Sequence, residues 1–304
     1  MVSFVRPPKS MDDIIGTPYR VCALKPFSFG LSRFRRWIQV EGRFLTPSTV
    51  LLETEDGRKF KLLSTSLRNR HWIDLHLFNY EVASKLKFVP RVMWSDACHL
   101  LVEFIEGVLP AIEGDDFAIK LGQCLAQVHH VDANELSMDV VLQNIERDLQ
   151  TIVRAQAISN AAASRLRDRL ADCLPSRVRT SLTYVDLQRS NFCIAESGEL
   201  IFLDLGSFQR GRFTDDSLFG HKLVRPTLRQ SLNLDLLKES YLDSGGVTQL
   251  FEWGKYLEVL DDIRKAALCV RRLHGSAMFQ RGRIKMYRQL IADRAVRLNA
   301  FVGS

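Results

Sequence analysis

The feature that most constrains this chain is a change of patterning near residue 105. Before it lie segments that read as strands: Arg35–Gly42, Ser48–Thr54, Arg58–Leu63, Val92–Ser95 and His99–Phe104. Two of them flank Glu55-Asp56-Gly57, the turn chemistry of a β-hairpin. One stretch, 72–87, has helical spacing through Ile73, Leu77, Tyr80, Glu81, Ser84 and Lys85. Glu106-Gly107-Val108-Leu109-Pro110 then breaks the pattern. Beyond it, Asp115-Asp116 can cap a helix carrying Phe117, Ile119, Leu121, Leu125 and Val128. Residues 138–172 supply one or two more helices, and the chain is helical again from about 228 to 300. Two short apolar runs, Ser181–Asp186 and Leu200–Asp204, interrupt these helices around the turn Glu196-Ser197-Gly198-Glu199. Strands gathered early and helices gathered late predict an α+β fold. The expected division is an N-terminal extension over 1–30, which holds four of the nine prolines, a β-rich lobe over 31–104 and a helical lobe over 105–304.

Composition excludes several classes. With 304 residues, 46% hydrophobic and 25% charged, the chain can bury a sizeable core, so disorder and a disulfide-stapled miniprotein are excluded. Its six cysteines show no CxxC spacing and its seven histidines no metal-binding spacing, so reduced, buried thiols are expected. Met1–Lys9 lacks a long apolar run, and no stretch approaches the roughly 20 residues of a membrane span. These features predict a cytoplasmic location without a membrane span. The net charge of +7, from 42 Lys+Arg against 35 Asp+Glu, suits an anionic partner. Its basic residues are dispersed and lack interleaved aromatics, which disfavours nucleic acid.

The informative segment is Tyr184-Val185-Asp186-Leu187-Gln188-Arg189-Ser190-Asn191, followed by Phe202-Leu203-Asp204-Leu205-Gly206. An Asp, an Asn five residues on and a second Asp after an apolar strand are the residue types that phosphoryl transfer requires. One carboxylate orients the attacking hydroxyl and accepts its proton. An amide oxygen and a second carboxylate hold the metal that neutralises phosphate charge, and such hard oxygen ligands suit magnesium.

This segment resembles the loop H-x-D-x-x-x-x-N and the downstream I-D step of aminoglycoside phosphotransferases and choline kinase-type small-molecule kinases. Leu125-Ala126-Gln127-Val128-His129 resembles that family's L-A-x-(L/V)-H helix, and Leu101–Gly107 its hinge between lobes. Asp215-Asp216-Ser217-Leu218 resembles its later acidic element, and Glu81 sits where its first large helix carries a lysine-pairing glutamate. The resemblance covers about residues 35–220. It implies a protein-kinase-like two-lobed fold with ATP at the hinge. The implied reaction is Mg-ATP-dependent transfer of the γ-phosphate to a hydroxyl of a small-molecule acceptor. Asp186 would orient the hydroxyl as catalytic base, and Asn191 and Asp204 would bind Mg2+. Glu103, Ile105 and their neighbours to Glu106 would present backbone groups to adenine.

The chain departs from the family in three places. Tyr184 stands where the family has His. The phosphate loop, Glu41–Ser48, has one glycine, so Ser48 or backbone amides would meet phosphate. The register of the phosphate-binding lysine falls on Leu63. Lys61, two residues earlier on the same strand face, is the candidate to pair with Glu81, and Arg58, Lys59 and Arg68 are fallbacks. These departures leave open an alternative, a pseudokinase or nucleotide-binding regulatory module.

Other residues have bland readings. His129 reads as a core or loop-bracing histidine, and Asp215 equally as a helix cap or a substrate anchor. Trp37, Trp72, Trp94 and Trp253 read as core or interface. Arg147, Arg154, Arg165, Arg167, Arg169, Arg177 and Arg179 read as solvated helix faces. Arg271, Arg272 and His274 could face the acceptor cleft.

Overall fold

The computed structural model describes residues 15–17, 19–22, 48–65, 71–213, 232–275 and 281–303. The expected strand at 35–42, the phosphate loop before Ser48, Arg68 and Asp215–Leu218 lie outside the described residues, as do the side chains of Trp72, Arg272 and His274.

The expected hairpin forms. Strand β1 (Tyr19–Cys22) precedes β2 (Ser48–Thr54), which pairs antiparallel with β3 (Lys59–Ser64). Gly57 in the turn has φ +84°, a left-handed conformation that costs an L side chain about 1–2 kcal/mol. β1 lies inside the segment expected as an extension, yet it pairs with β2, and Ile15 is fully buried. Helix α1 (His71–Ala83) follows. It stops at Ala83 rather than 87, because the chain turns through 84–90 to bury Leu86, Phe88 and Val89 ahead of Pro90. β4 (Val92–Ser95) and β5 (His99–Glu103) complete a sheet of order β1-β2-β3-β5-β4. Its inner face buries Ile15, Leu52, Phe60 and Leu101, with Trp94 packed alongside.

The remaining elements are mostly helical. β6 (Gly107–Val108) leads to α2 (Asp115–His130), β7 (Asn134–Ser137), α3 (Met138–Arg154), α4 (Asn160–Cys173) and β8 (Arg177–Tyr184). Strands β9 (Phe192–Ala195), β10 (Leu200–Phe202) and β11 (Phe208–Phe213) follow, then α5 (Leu234–Asp243), α6 (Gln249–Glu252), α7 (Gly254–Gly275) and α8 (Arg281–Gly303). The cap of α2 is Gly114, not an aspartate. Asp115 and Asp116 occupy its first turn, where carboxylates favour the positive end of the helix dipole.

The chain forms two compact units. The first takes in Met1–Val131, Tyr184–Gln209 and Val224–Gly246, and the expected boundary at residue 105 falls inside it. The second takes in Asp132–Thr183, Arg210–Leu223 and Val247–Ser304. In the first, α2 packs on α5, and His129 is buried with Nδ1 2.8 Å from the Tyr241 hydroxyl, as a core histidine should be. The core of the second is aliphatic and joins α3, α4, α7 and α8 through Ile145, Leu149, Leu166, Leu260 and Leu298. Of the arginines expected on solvated helix faces, Arg147, Arg154, Arg165 and Arg167 are exposed on helices, whereas Arg169 is half-buried 4.5 Å over the Phe301 ring, and Arg177 and Arg179 lie on β8, Arg179 half-buried. Arg271 pairs with Asp148 at 2.9 Å. Among the described residues, no helix is long and apolar enough to cross a membrane.

Candidate active site

The site rests on a block of aromatic rings. Tyr184, Phe192, Phe202 and Phe208 are fully buried, and the Tyr184 ring lies 4.7 Å from Phe202, 4.9 Å from Phe208 and 5.6 Å from Phe192. Each of these residues borders a loop of interest. Tyr184 ends β8 just before Asp186, Phe192 follows Asn191, Phe202 ends β10 before Asp204, and Phe208 begins β11. Packing the rings therefore fixes both loops at once. Pairing of Phe202 with Phe192 across the β9–β10 hairpin sets their register, so the hairpin returns the second carboxylate beside the first loop.

Backbone bonds then join the loops. Leu203 N–H donates to Asn191 O at 2.8 Å, and Val185 N–H to Ser207 O at 2.8 Å. The Asn191 amide nitrogen donates to Asp186 O at 2.9 Å and to Asp186 Oδ2 at 3.3 Å. With its nitrogen committed to Asp186, Asn191 presents its carbonyl oxygen at the other end of the amide. Asp204 accepts from Gly206 N–H at 3.0 Å and from Ser207 Oγ at 2.6 Å, which caps a short 3-10 turn over Leu205–Ser207. Asp186, Asn191 and Asp204 thus meet in one place. An amide oxygen and a carboxylate are hard ligands that fit magnesium, an ion that typically takes only one or two protein ligands and keeps water and phosphate oxygens.

Tyr184 braces both loops from below through its hydroxyl as well as its ring. Its hydroxyl reaches Asn191 O at 3.5 Å and also bonds Ser207 and the Asp204 backbone. Burial first, then the Asp204 charge, push this phenol well above its ordinary value, so it stays a neutral donor.

Lys61 on β3 directs its ammonium to Leu203 O at 3.4 Å, beside the Asp204 turn. Burial lowers its pKa, and the Asp204 charge opposes that shift. The Asp204 carboxylate thus acts on Lys61, and Glu81 is exposed on α1. Glu103 ends β5, where Arg91 grips it at 3.0 and 3.1 Å and holds its carboxyl below the usual range. Its N–H is already bonded to Arg91 O. Ile105 is half-buried in the following segment. Ser48 opens β2 opposite Ser64.

Two neighbours carried no sequence signal. Gln188 sends its amide nitrogen to Asp186 Oδ2 at 2.5 Å. His76, buried on α1, closes against Gly206, where an added Cβ would stand 2.4 Å from its Nε2. That glycine is required for the close approach. A helix histidine 130 positions before its partner has no local motif to reveal it.

No known protein-family model matches this chain, and no curated protein sequence matches it. Solved structures do. A macrolide 2'-phosphotransferase from Brachybacterium faecium superposes with a TM-score of 0.56 at 16% identity, over 81% of this chain and 88% of that one. An ethanolamine kinase from Plasmodium vivax gives 0.55 at 12% identity, over 93% and 84%. The streptomycin-ATP-APH(2")-IIa ternary complex gives 0.51 at 12% identity, over 83% and 92%. The chain therefore has the protein-kinase-like α+β fold of these small-molecule kinases.

Proposed function

We propose that this chain is a Mg-ATP-dependent phosphotransferase that moves the γ-phosphate of ATP to a hydroxyl of a small molecule. The observation that carries this is the meeting of Asp186, Asn191 and Asp204 through the Leu203-to-Asn191 bond, with Lys61 at the same carbonyl step. Asp186 orients the acceptor hydroxyl. The hydroxyl oxygen bonds to the γ-phosphorus, the bond from that phosphorus to the bridging oxygen breaks, and its electron pair leaves with ADP. The hydroxyl proton passes to Asp186. Asn191 and Asp204 would hold Mg2+, which supplies charge neutralisation on the phosphates. Lys61 contacts the α/β-phosphates with Asp204 as its electrostatic partner. Because the Glu103 N–H is engaged, an N–H donor to adenine comes from residues 104–106. Catalysis is positioning and electrostatics. The two-lobed division and a cytoplasmic location accompany this reading.

The test is a coupled ADP-release assay with Mg-ATP and a panel of amino alcohols, aminoglycosides, macrolides and sugars. Transfer by the unaltered protein, abolished in Asp204→Ala and severely cut in Asp186→Asn, is the expected result. Mg-ATP binding in a thermal-shift titration without transfer to any hydroxyl would overturn it in favour of a nucleotide-binding regulatory module.

A further inference from the structure

We infer that Gln188 is a positioning residue that leaves one oxygen of Asp186 to take the acceptor's proton; this rests on the phosphotransferase reading. The motif fixes an Asp and an Asn and leaves the residues between them open. Here the second of those open positions is a glutamine that turns back on the base. Its Nε2 donates to Asp186 Oδ2 at 2.5 Å, and Asn191 Nδ2 donates to the same oxygen at 3.3 Å. Its backbone closes the loop as well. Gln188 N–H donates to Asp186 O at 2.9 Å, and Asn191 N–H donates to Gln188 O at 2.9 Å.

Two donors on one carboxylate oxygen have two consequences. They stop the rotation about χ2 that would otherwise exchange the two oxygens. They also draw charge to Oδ2 and occupy its lone pairs, which makes it the poorer proton acceptor. Among the described residues, no donor reaches Asp186 Oδ1. Oδ1 is therefore the oxygen that meets the hydroxyl, and the proton released as the new phosphorus–oxygen bond forms goes to it. Asn191 could not fix the carboxylate alone, because its longer bond to Oδ2 is shared with Asp186 O. Gln188 is half-buried, so it can act without being part of the core.

The experiment compares Gln188→Ala and Gln188→Glu in steady-state phosphotransfer, alongside side-chain amide 15N–1H spectra of the full chain. Ala removes the donor and should lower kcat about tenfold to a hundredfold, leaving KM for Mg-ATP unchanged. Glu has nearly the same shape but sets a carboxylate against Oδ2, so it should be the worse of the two. A residue that merely filled space would give the opposite order. In the spectra, the amide resonance lost in Gln188→Ala should be displaced from free glutamine and should move in Asp186→Asn. Turnover with Glu milder than Ala, or an amide indifferent to Asp186→Asn, overturns the proposal and leaves the phosphotransferase reading standing. No transfer by the unaltered protein to any hydroxyl overturns that reading, and the role of Gln188 with it.

Discussion

Two acidic pairs in this molecule are held in opposite ways. Asp261 and Asp262 on α7 are each only 3% exposed, and cations meet both. Lys265 pairs with Asp261, while Arg297 grips Asp262 through Nε at 2.8 Å and Nη2 at 2.9 Å, with Arg294 at 3.7 Å. Asp186 and Asp204 are held by neutral donors instead: two side-chain amides, a hydroxyl and a backbone N–H. Among the described residues neither makes an ion pair, and the cation that Asp204 influences at longer range is Lys61. The first pair is electrically complete inside the protein, which is the requirement for burying charge. The second is oriented but not neutralised, which is how a protein prepares to receive a cation and a polyphosphate.

The sharpest break of this contrast comes from deleting one member of each pair. Asp204→Ala should lower phosphotransfer by at least about 1,000-fold, since charge stabilisation dominates such reactions. Loss of its capping bonds should cost only about 1 kcal/mol of stability. Asp262→Ala should do the reverse. It strands arginines at a nearly buried position, at a cost of about 3 kcal/mol in denaturant melts, while the folded fraction keeps its specific activity. An active Asp204→Ala, or an Asp262→Ala as stable as the parent, would erase the distinction.

Much of this site was legible in the sequence, for a physical reason. Asp186 and Asn191 lie in one loop, and a short hairpin with a clear turn brings Asp204 back, so local spacing encodes the meeting. Strands β2 to β5 of the first sheet were legible because turn residues separate β-prone runs. The partner of Lys61 was not, because it depends on how β3 faces a turn 142 residues away. His76 and Gln188 were silent for different reasons. One acts across a tertiary contact, and the other sits at a position where the motif accepts any residue. The strand in 19–22 was hidden among prolines, and only pairing with β2 makes it one.

Lys61 sharpens the contrast next. Its ammonium has lost solvent, so in the free protein its charge is an expense offset in part by Asp204. The sign follows: a lysine whose folded pKa is lowered disfavours folding below that value, and the penalty fades as pH rises through it. Lys61→Met should leave the melting temperature at neutral pH unchanged or higher, while turnover falls by about 100-fold. Gly206→Ala probes the same turn sterically. The new methyl would meet His76 Nε2 at 2.4 Å. Overpacking of this kind costs about 1–3 kcal/mol, and pairing it with His76→Ala should recover part of the loss if the imidazole is what it meets.

The smallest effect belongs to a charge pair that is neither buried nor left open. Arg91 and Glu103 meet at 3.0 Å, with side chains 71% and 31% exposed. Arg91 holds the Glu103 carboxyl below its usual range, so the pair stabilises the folded state at neutral pH. That contribution is complete above the unfolded glutamate value of about 4.3 and disappears as pH falls through the lower folded value. Solvent screening limits it, and Arg91→Ala should cost less than about 1 kcal/mol at pH 7. The difference between variant and parent should close once pH falls below the lowered Glu103 value. A larger loss, or one that persists in acid, would mean that this sheet edge depends on its ion pair as the α7 carboxylates depend on theirs. Solvent exposure would then no longer separate the two kinds of charge.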